Sequence, residues 1–254
     1  MRRTLFLGYG LFSYALFLVT FLYAIGFVSG LLVPKSIDSG DEGALVPSIV
    51  TNVLLLGLFG IQHSIMARRW FKSWWTRIVP EPIERSTFMV ATCVVFGLLF
   101  WLWQPLHQVI WSIESDIARQ VIWGAHWAGW AIALISTFII DHFELFGLRQ
   151  VIRHYRGVSA SQPTFKVSLF YRFVRHPLML GFIIAFWTAP HMTLGRLLFA
   201  AVTTAYILVA VQIEERDLVR AHGESYREYR RRVPSILPLP RLGGGNGKVV
   251  RENA

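Results

Sequence analysis

Two groups of charged side chains near the C-terminal end of the sequence are spaced so that they could act together. Arg172, Arg175 and His176 stand immediately before Pro177, which opens an apolar run, and Glu214 and Glu215 close the next one. Proline suits the first position of a helix, where its missing N–H is not needed, and that start carries partial positive charge. An anionic ligand group belongs beside it. The segment His191 to Gly195 reads as a tight turn, which brings the two glutamates back to the level of His176. Adjacent carboxylates on a helix point in different directions, so one faces the site while the other caps or forms an ion pair. A ligand carrying both a carboxylate and an ammonium fits between these cations and anions. Arg172 and Arg175 alone have a plainer reading, snorkelling to headgroup phosphates.

A second set lies earlier in the chain. Asn52, Phe59 and His63 share a helical face, and Gln62 and His63 close an apolar run beside a basic segment. Asp141 and His142 close another on the same side. A base for proton removal is expected among His142, oriented by Asp141 or Glu144, and His63, with His176 as a third candidate. Trp123, His126, Trp127 and Trp130 recur at helical spacing, and an interfacial belt or core packing is the plainer reading of the tryptophans. His126 reads as a satisfied core histidine. Beyond the glutamates, Gly223 breaks the helix, and Tyr226, Tyr229 and Val233 then share a face opposite Arg227, Arg230 and Arg231. Such a helix either roofs a site at the membrane surface or anchors the tail there. The single cysteine, Cys93, sits inside an apolar run; it excludes an internal disulfide and reads as a small hydrophobe. This chemistry calls for no metal.

These residues need elements to hold them, and the composition limits which. Hydrophobic residues make up 54% of the 254, charged residues only 16%, and mean hydropathy is +0.47, so polar groups are too few to cover a water-soluble domain of this size. The fold class expected is all-α, a polytopic integral membrane helical bundle of about six spans with a cytoplasmic C-terminal amphipathic helix. Spans are expected at Leu5 to Val33, Val50 to Ala67, Thr87 to Trp103, Gln120 to Ile140, Pro177 to Pro190 and Arg196 to Ile213. The first is too long for a signal peptide and lacks a clear cleavage site. The fifth is short enough to be a tilted span or an arm that does not cross fully. Gln104 to Arg119 reads as a loop. Basic residues concentrate in alternate loops, which places both termini in the cytoplasm. The net charge of +10 is accounted for by these loops and by anionic lipid, without nucleic acid. The chain divides into a four-span region, 1–140, a region of loop, hairpin and tail, 141–240, and a flexible end, 241–254. No internal repeat supports a transporter.

Arg-His-Pro ahead of a hydrophobic hairpin, Glu-Glu beyond it and a tail with Gly-x-x-Tyr-x-x-Tyr resemble the C-terminal signature of membrane methyltransferases, among them isoprenylcysteine carboxyl and phospholipid N-methyltransferases. The resemblance implies S-adenosylmethionine, held by Tyr171, Arg172, Arg175, His176, Pro177, Gly181, Glu214, Glu215, Tyr226 and Tyr229. Met179 stands where a tyrosine is more usual. IQHSIMARRWFKSWWTRIVPEPIERSTF, followed by DHFELFGLRQ, is similar to the bacterial membrane-bound methanethiol S-methyltransferases, relatives of the NnrU-type membrane proteins. That narrower resemblance implies methyl transfer to methanethiol in the bacterial inner membrane, with His142, His63 and Asp141 as catalytic residues and His63, Trp127, Trp130 and Glu144 near the thiol. Such a volatile thiol arrives through the bilayer, and no obligate protein partner is evident. Two other readings stay open: a methyltransferase for a lipid amine or an isoprenylated cysteine carboxylate, and a non-enzymatic accessory or haem protein using His63, His126, His142 and His176.

Overall fold

The structure, a computed structural model, describes residues 1–158 and 169–238, so Lys166 and the tail 241–254 lie outside the described residues. Apolar runs of bilayer length become long helices because a helix satisfies all its backbone groups internally. These are α1 (Arg2–Ser29), α2 (Leu45–Met66), α4 (Glu84–Leu102), α5 (Asp116–Ile140) and α9 (Leu194–His222). Between them lie α3 (Arg69–Trp75), α6 (His142–Leu145), α7 (Leu148–Arg156) and α8 (Pro177–Trp187), and α10 (Glu224–Arg232) follows. The protein is an all-α polytopic membrane bundle in which five helices are long and apolar enough to cross a bilayer. At 11 residues, α8 spans about 16 Å, roughly half a hydrocarbon core. The extended residues that follow carry the chain on to the far end of the bundle.

Two short strands there depart from the sequence expectation. β1 (Val109–Ser112) lies in the segment read as a loop, and β2 (His191–Thr193) in the segment read as a tight turn; they pair antiparallel. Strands this short give no periodic signal, and their pairing spans about eighty residues of chain. Around this sheet end, Thr193 Oγ1 donates to Asp38 Oδ1 at 2.6 Å and Arg196 Nε to Asp38 Oδ2 at 2.6 Å. Asn52 pairs reciprocally with the Gln104 backbone at 2.7 and 2.9 Å, so it serves this end and not the neighbourhood of His63.

The bundle core runs across residue 140 without a break. Phe27, Leu55, Trp103, Trp130, Ala185 and Phe199 belong to one buried cluster. The most extensive helix pair is α5 against α8, and glycine allows it. A Cβ on Gly181 would lie 2.6 Å from the Ala133 nitrogen and the Gly129 carbonyl oxygen; one on Gly129 would lie 2.6 Å from the Ala185 nitrogen. Small residues four apart on both helices let the backbones touch.

Candidate active site

At the opposite end of the bundle, the chain turns from Arg172 into α8 and from α9 into α10. Pro177 occupies the first position of α8, with His176 as its cap. Gly223, at φ +59° and ψ −129°, ends α9 and reverses the chain, so the apolar side of α10 folds back: Tyr226, Tyr229 and Val233 pack against Leu218 and Val219. The tail then pairs with the segment before α8, Arg175 N donating to Pro234 O at 2.9 Å and His176 N to Ser235 O at 3.0 Å. The expected roof is therefore seated on protein.

Glu215 is the centre of this arrangement. Its Oε1 accepts from Arg175 Nε at 2.8 Å, lies 2.6 Å from Arg175 Nη2, and accepts from His176 Nε2 at 3.2 Å and Ser235 Oγ at 3.3 Å. Arg230 Nε approaches Oε2 at 3.4 Å. A carboxylate with a side chain only 10% exposed needs this many donors, and it is satisfied by them. Arg175 Nη1 also donates to the Arg230 and Val233 carbonyls. Glu214, by contrast, has a side chain 49% exposed and only a 3.7 Å approach from His176 Nδ1. Arg172 is exposed and has no ion-pair partner among the described residues. Tyr229 Oη donates to the Tyr171 carbonyl at 2.6 Å. Burial first, with the nearby acidic side chains, raises the Tyr171 and Tyr226 phenols, and burial pushes Tyr229 up to about 12. All three stay protonated donors. One glutamate is thus bound into the protein, and the other stays half-exposed beside His176. Gly181 lies a turn away, against α5.

His142 forms a second centre, between α1 and α5. Its Nε2 meets Tyr14 Oη at 2.8 Å and its Nδ1 meets Thr137 Oγ1 at 2.8 Å. The ring stacks on Phe138 at 4.2 Å and lies among Tyr14, Phe17, Phe143 and Phe146. Neither Asp141 nor Glu144 orients it. Asp141, at φ +144°, caps α6 through Glu144 N at 3.1 Å and pairs with Arg149. Glu144 pairs with Arg153 at 3.1 Å and Gln150 at 3.0 Å. The reason is geometric: the turn at Asp141 folds α6 back, so the histidine points to the bundle and the acids to α7. Burial holds the His142 ring below its ordinary value, with Asp141 opposing. A 390 Å³ cleft opens beside it, lined by Phe138, Asp141, His142, Phe143 and Arg149.

The other expected residues are dispersed. His63 lies against Phe59 and Phe88 with its Nδ1 buried and unpartnered among the described residues. No hydrogen bond or ring contact joins His63, His142 and His176 to one another. Trp130 is in the core, donating to His126 Nε2 at 3.1 Å, while Trp127 is 45% exposed. Both lie 11 or more residues back along α5 from Asp141, which is about 16 Å or more. His126 Nδ1 meets the Ala185 carbonyl at 2.8 Å, so both its ring nitrogens are occupied, as a core histidine requires. Spacing did not point to Tyr14, Thr137, Ser235 or the role of Arg230; Tyr14 is one of three tyrosines in the apolar α1, with Tyr9 and Tyr23, and nothing in the sequence singles it out.

No family model matches the chain, and no solved structure matches it. Curated relatives do. Methanethiol S-methyltransferase 1 of Bradyrhizobium diazoefficiens is 52% identical over 233 residues, 92% of this chain and 82% of its own. Methanethiol S-methyltransferase of Mycobacterium tuberculosis is 51% identical over 240 residues, 94% of this chain and 98% of its own. The chain belongs to the methanethiol S-methyltransferase family. Nurim of Danio rerio is a distant relative, 28% identical over 203 residues, 73% of this chain and 70% of its own. In this methanethiol S-methyltransferase family member, one end of the bundle holds both the ion-pair cluster around Glu215 and the buried ring of His142.

Proposed function

We propose that this protein transfers a methyl group from S-adenosylmethionine to methanethiol, releasing dimethyl sulfide and S-adenosylhomocysteine. Identity of about one half, over more than nine-tenths of the chain, to proteins named for that reaction carries the reading. The chemistry of the donor set fits the methyl donor: Glu214 is an uncommitted carboxylate for its ammonium, Arg172 an uncommitted cation for its carboxylate, and the α8 start favours anionic groups. When bound, S-adenosylmethionine supplies a methyl group made electrophilic by a sulfonium.

The chain's own residues have the other tasks. Glu215, Arg175 and Ser235 clamp the tail over the start of α8 and keep water from the reacting sulfur. A thiol with cysteine-like acidity, pKa about 8.5, is mostly protonated at neutral pH. Thr137 donates to the Leu134 carbonyl and so accepts from His142 Nδ1. His142, kept neutral by burial, takes the thiol proton at Nε2 through the Tyr14 hydroxyl, which passes its own proton to the ring as it accepts the thiol's. His63 and the tryptophans line the approach of a small apolar thiol from the bilayer. The protein sits in the bacterial inner membrane with both termini cytoplasmic. Arg68, Arg69, Arg149 and Arg153, all at the site end, support that orientation.

Headspace gas chromatography on membranes containing the protein tests the reading. Dimethyl sulfide should form from S-adenosylmethionine and methanethiol with the intact chain and not with Glu214→Ala. No dimethyl sulfide from folded protein that binds S-adenosylmethionine would refute methanethiol as the acceptor.

A further inference from the structure

The other side of α9 carries a feature that methyl transfer does not use. Arg68, Arg69, Trp70, Arg216, Asp217 and Arg220 line a groove of about 460 Å³ where the ends of α2 and α3 meet α9. At 100° per residue, Arg216, Asp217 and Arg220 share a face with Ile213, while Glu215 points to nearly the opposite side. The groove is therefore separate from the cluster around Arg175 and His176. Its charge is unbalanced: four guanidinium groups surround one carboxylate. Asp217 takes Arg68 at 2.7 Å and Arg220 at 3.5 Å, and Arg69 and Arg216 have no ion-pair partner among the described residues. The Arg68 pair, backed by Arg68 Nε on the Ser64 carbonyl at 3.1 Å, fixes α2 to α9 and holds the groove open.

Its surroundings define what fits. Directly along the bundle from the arginines, Ile61 and Ile65 of α2 and Val209 of α9 are exposed on either side of the same helix pair. Trp70 is exposed at the groove itself, at the depth where an indole meets headgroups. An anion with hydrocarbon attached satisfies both parts, its phosphate among the guanidinium groups and its chains on the apolar strip. We infer that the groove between α3 and the end of α9 is a binding site for the headgroup of one anionic phospholipid.

Native mass spectrometry of the full-length protein, stripped of lipid in detergent and titrated with phosphatidylglycerol or phosphatidylcholine of matched chains, tests this. One phosphatidylglycerol should bind at least tenfold more tightly than phosphatidylcholine. R69Q/R216Q, which touches two exposed and unpaired side chains, should weaken phosphatidylglycerol about thirtyfold, taking roughly 1 kcal/mol per arginine, and leave phosphatidylcholine unchanged. If that variant fails to fold, R220Q should give a smaller loss in the same direction. Equal binding of the two lipids, a folded variant that keeps the preference, or inorganic phosphate binding as tightly as phosphatidylglycerol would overturn the assignment.

Discussion

His142 has a hydroxyl at each ring nitrogen and aromatic rings around it, yet belongs to no ion pair among the described residues. That environment suits a base that must be neutral. His142→Gln should lower turnover by about a hundredfold or more, as loss of a general base does, with S-adenosylmethionine affinity kept; single-turnover assays and calorimetry separate the two. The pH dependence follows from the sign of its shift. Because burial lowers its value in the folded protein, the neutral ring survives below the ordinary imidazole range, about 6.5, and the acid limb of activity should fall below that pH. The same ring stabilises the fold above its unfolded value and loses that contribution as the pH falls toward the folded one. Tyr14→Phe removes one of its two partners and should move the acid limb, which a purely structural tyrosine would not do. The sequence made the Arg175, His176 and Glu215 cluster legible because the first two abut the start of α8 and the glutamate closes the apolar part of α9, one short connection away. Tyr14 and Thr137 were not legible: Tyr14 meets His142 across 128 positions, and no local period records such a contact. Asp141 and Glu144, adjacent in sequence to the histidine, were the wrong orienting partners because the backbone reverses at Asp141.

At the scale of elements, apolar run length was a sufficient guide to the five long helices, since backbone groups in a bilayer have no other partner. The expected second span, Val50 to Ala67, starts five residues inside α2. The crossing of α5 and α8 was not readable, because a glycine every few residues in an apolar run is equally compatible with lipid on that face. In the structure that crossing sets the level of His176. Gly181→Leu drives a side chain into the Ala133 backbone and should cost about 1–3 kcal/mol, read as a lower melting temperature in detergent, and weaken S-adenosylmethionine binding through displacement of the α8 start. The strands escaped notice because a three-residue and a four-residue segment gain order only from one another.

Over the whole molecule, the two ends do different work. The sheet end is bound by Asp38 to Thr193 and Arg196, and the site end by Glu215 to Arg175, His176 and the tail. Asp38→Ala should therefore lower stability by roughly 1.5–3 kcal/mol, the range for hydrogen bonds to charged groups, while leaving the S-adenosylmethionine affinity of the folded protein unchanged. Calorimetric unfolding and equilibrium binding on the same preparation check both halves of that statement. The strand pair also bears on biogenesis. β2 follows α8 directly and can reach β1 only once α8 has carried the chain to the far end of the bundle. Formation of that pair therefore cannot precede arrival of the α8 end there, and a cross-link between Trp111 and Met192, which are register partners, should form only in chains whose last hairpin has reached the far end.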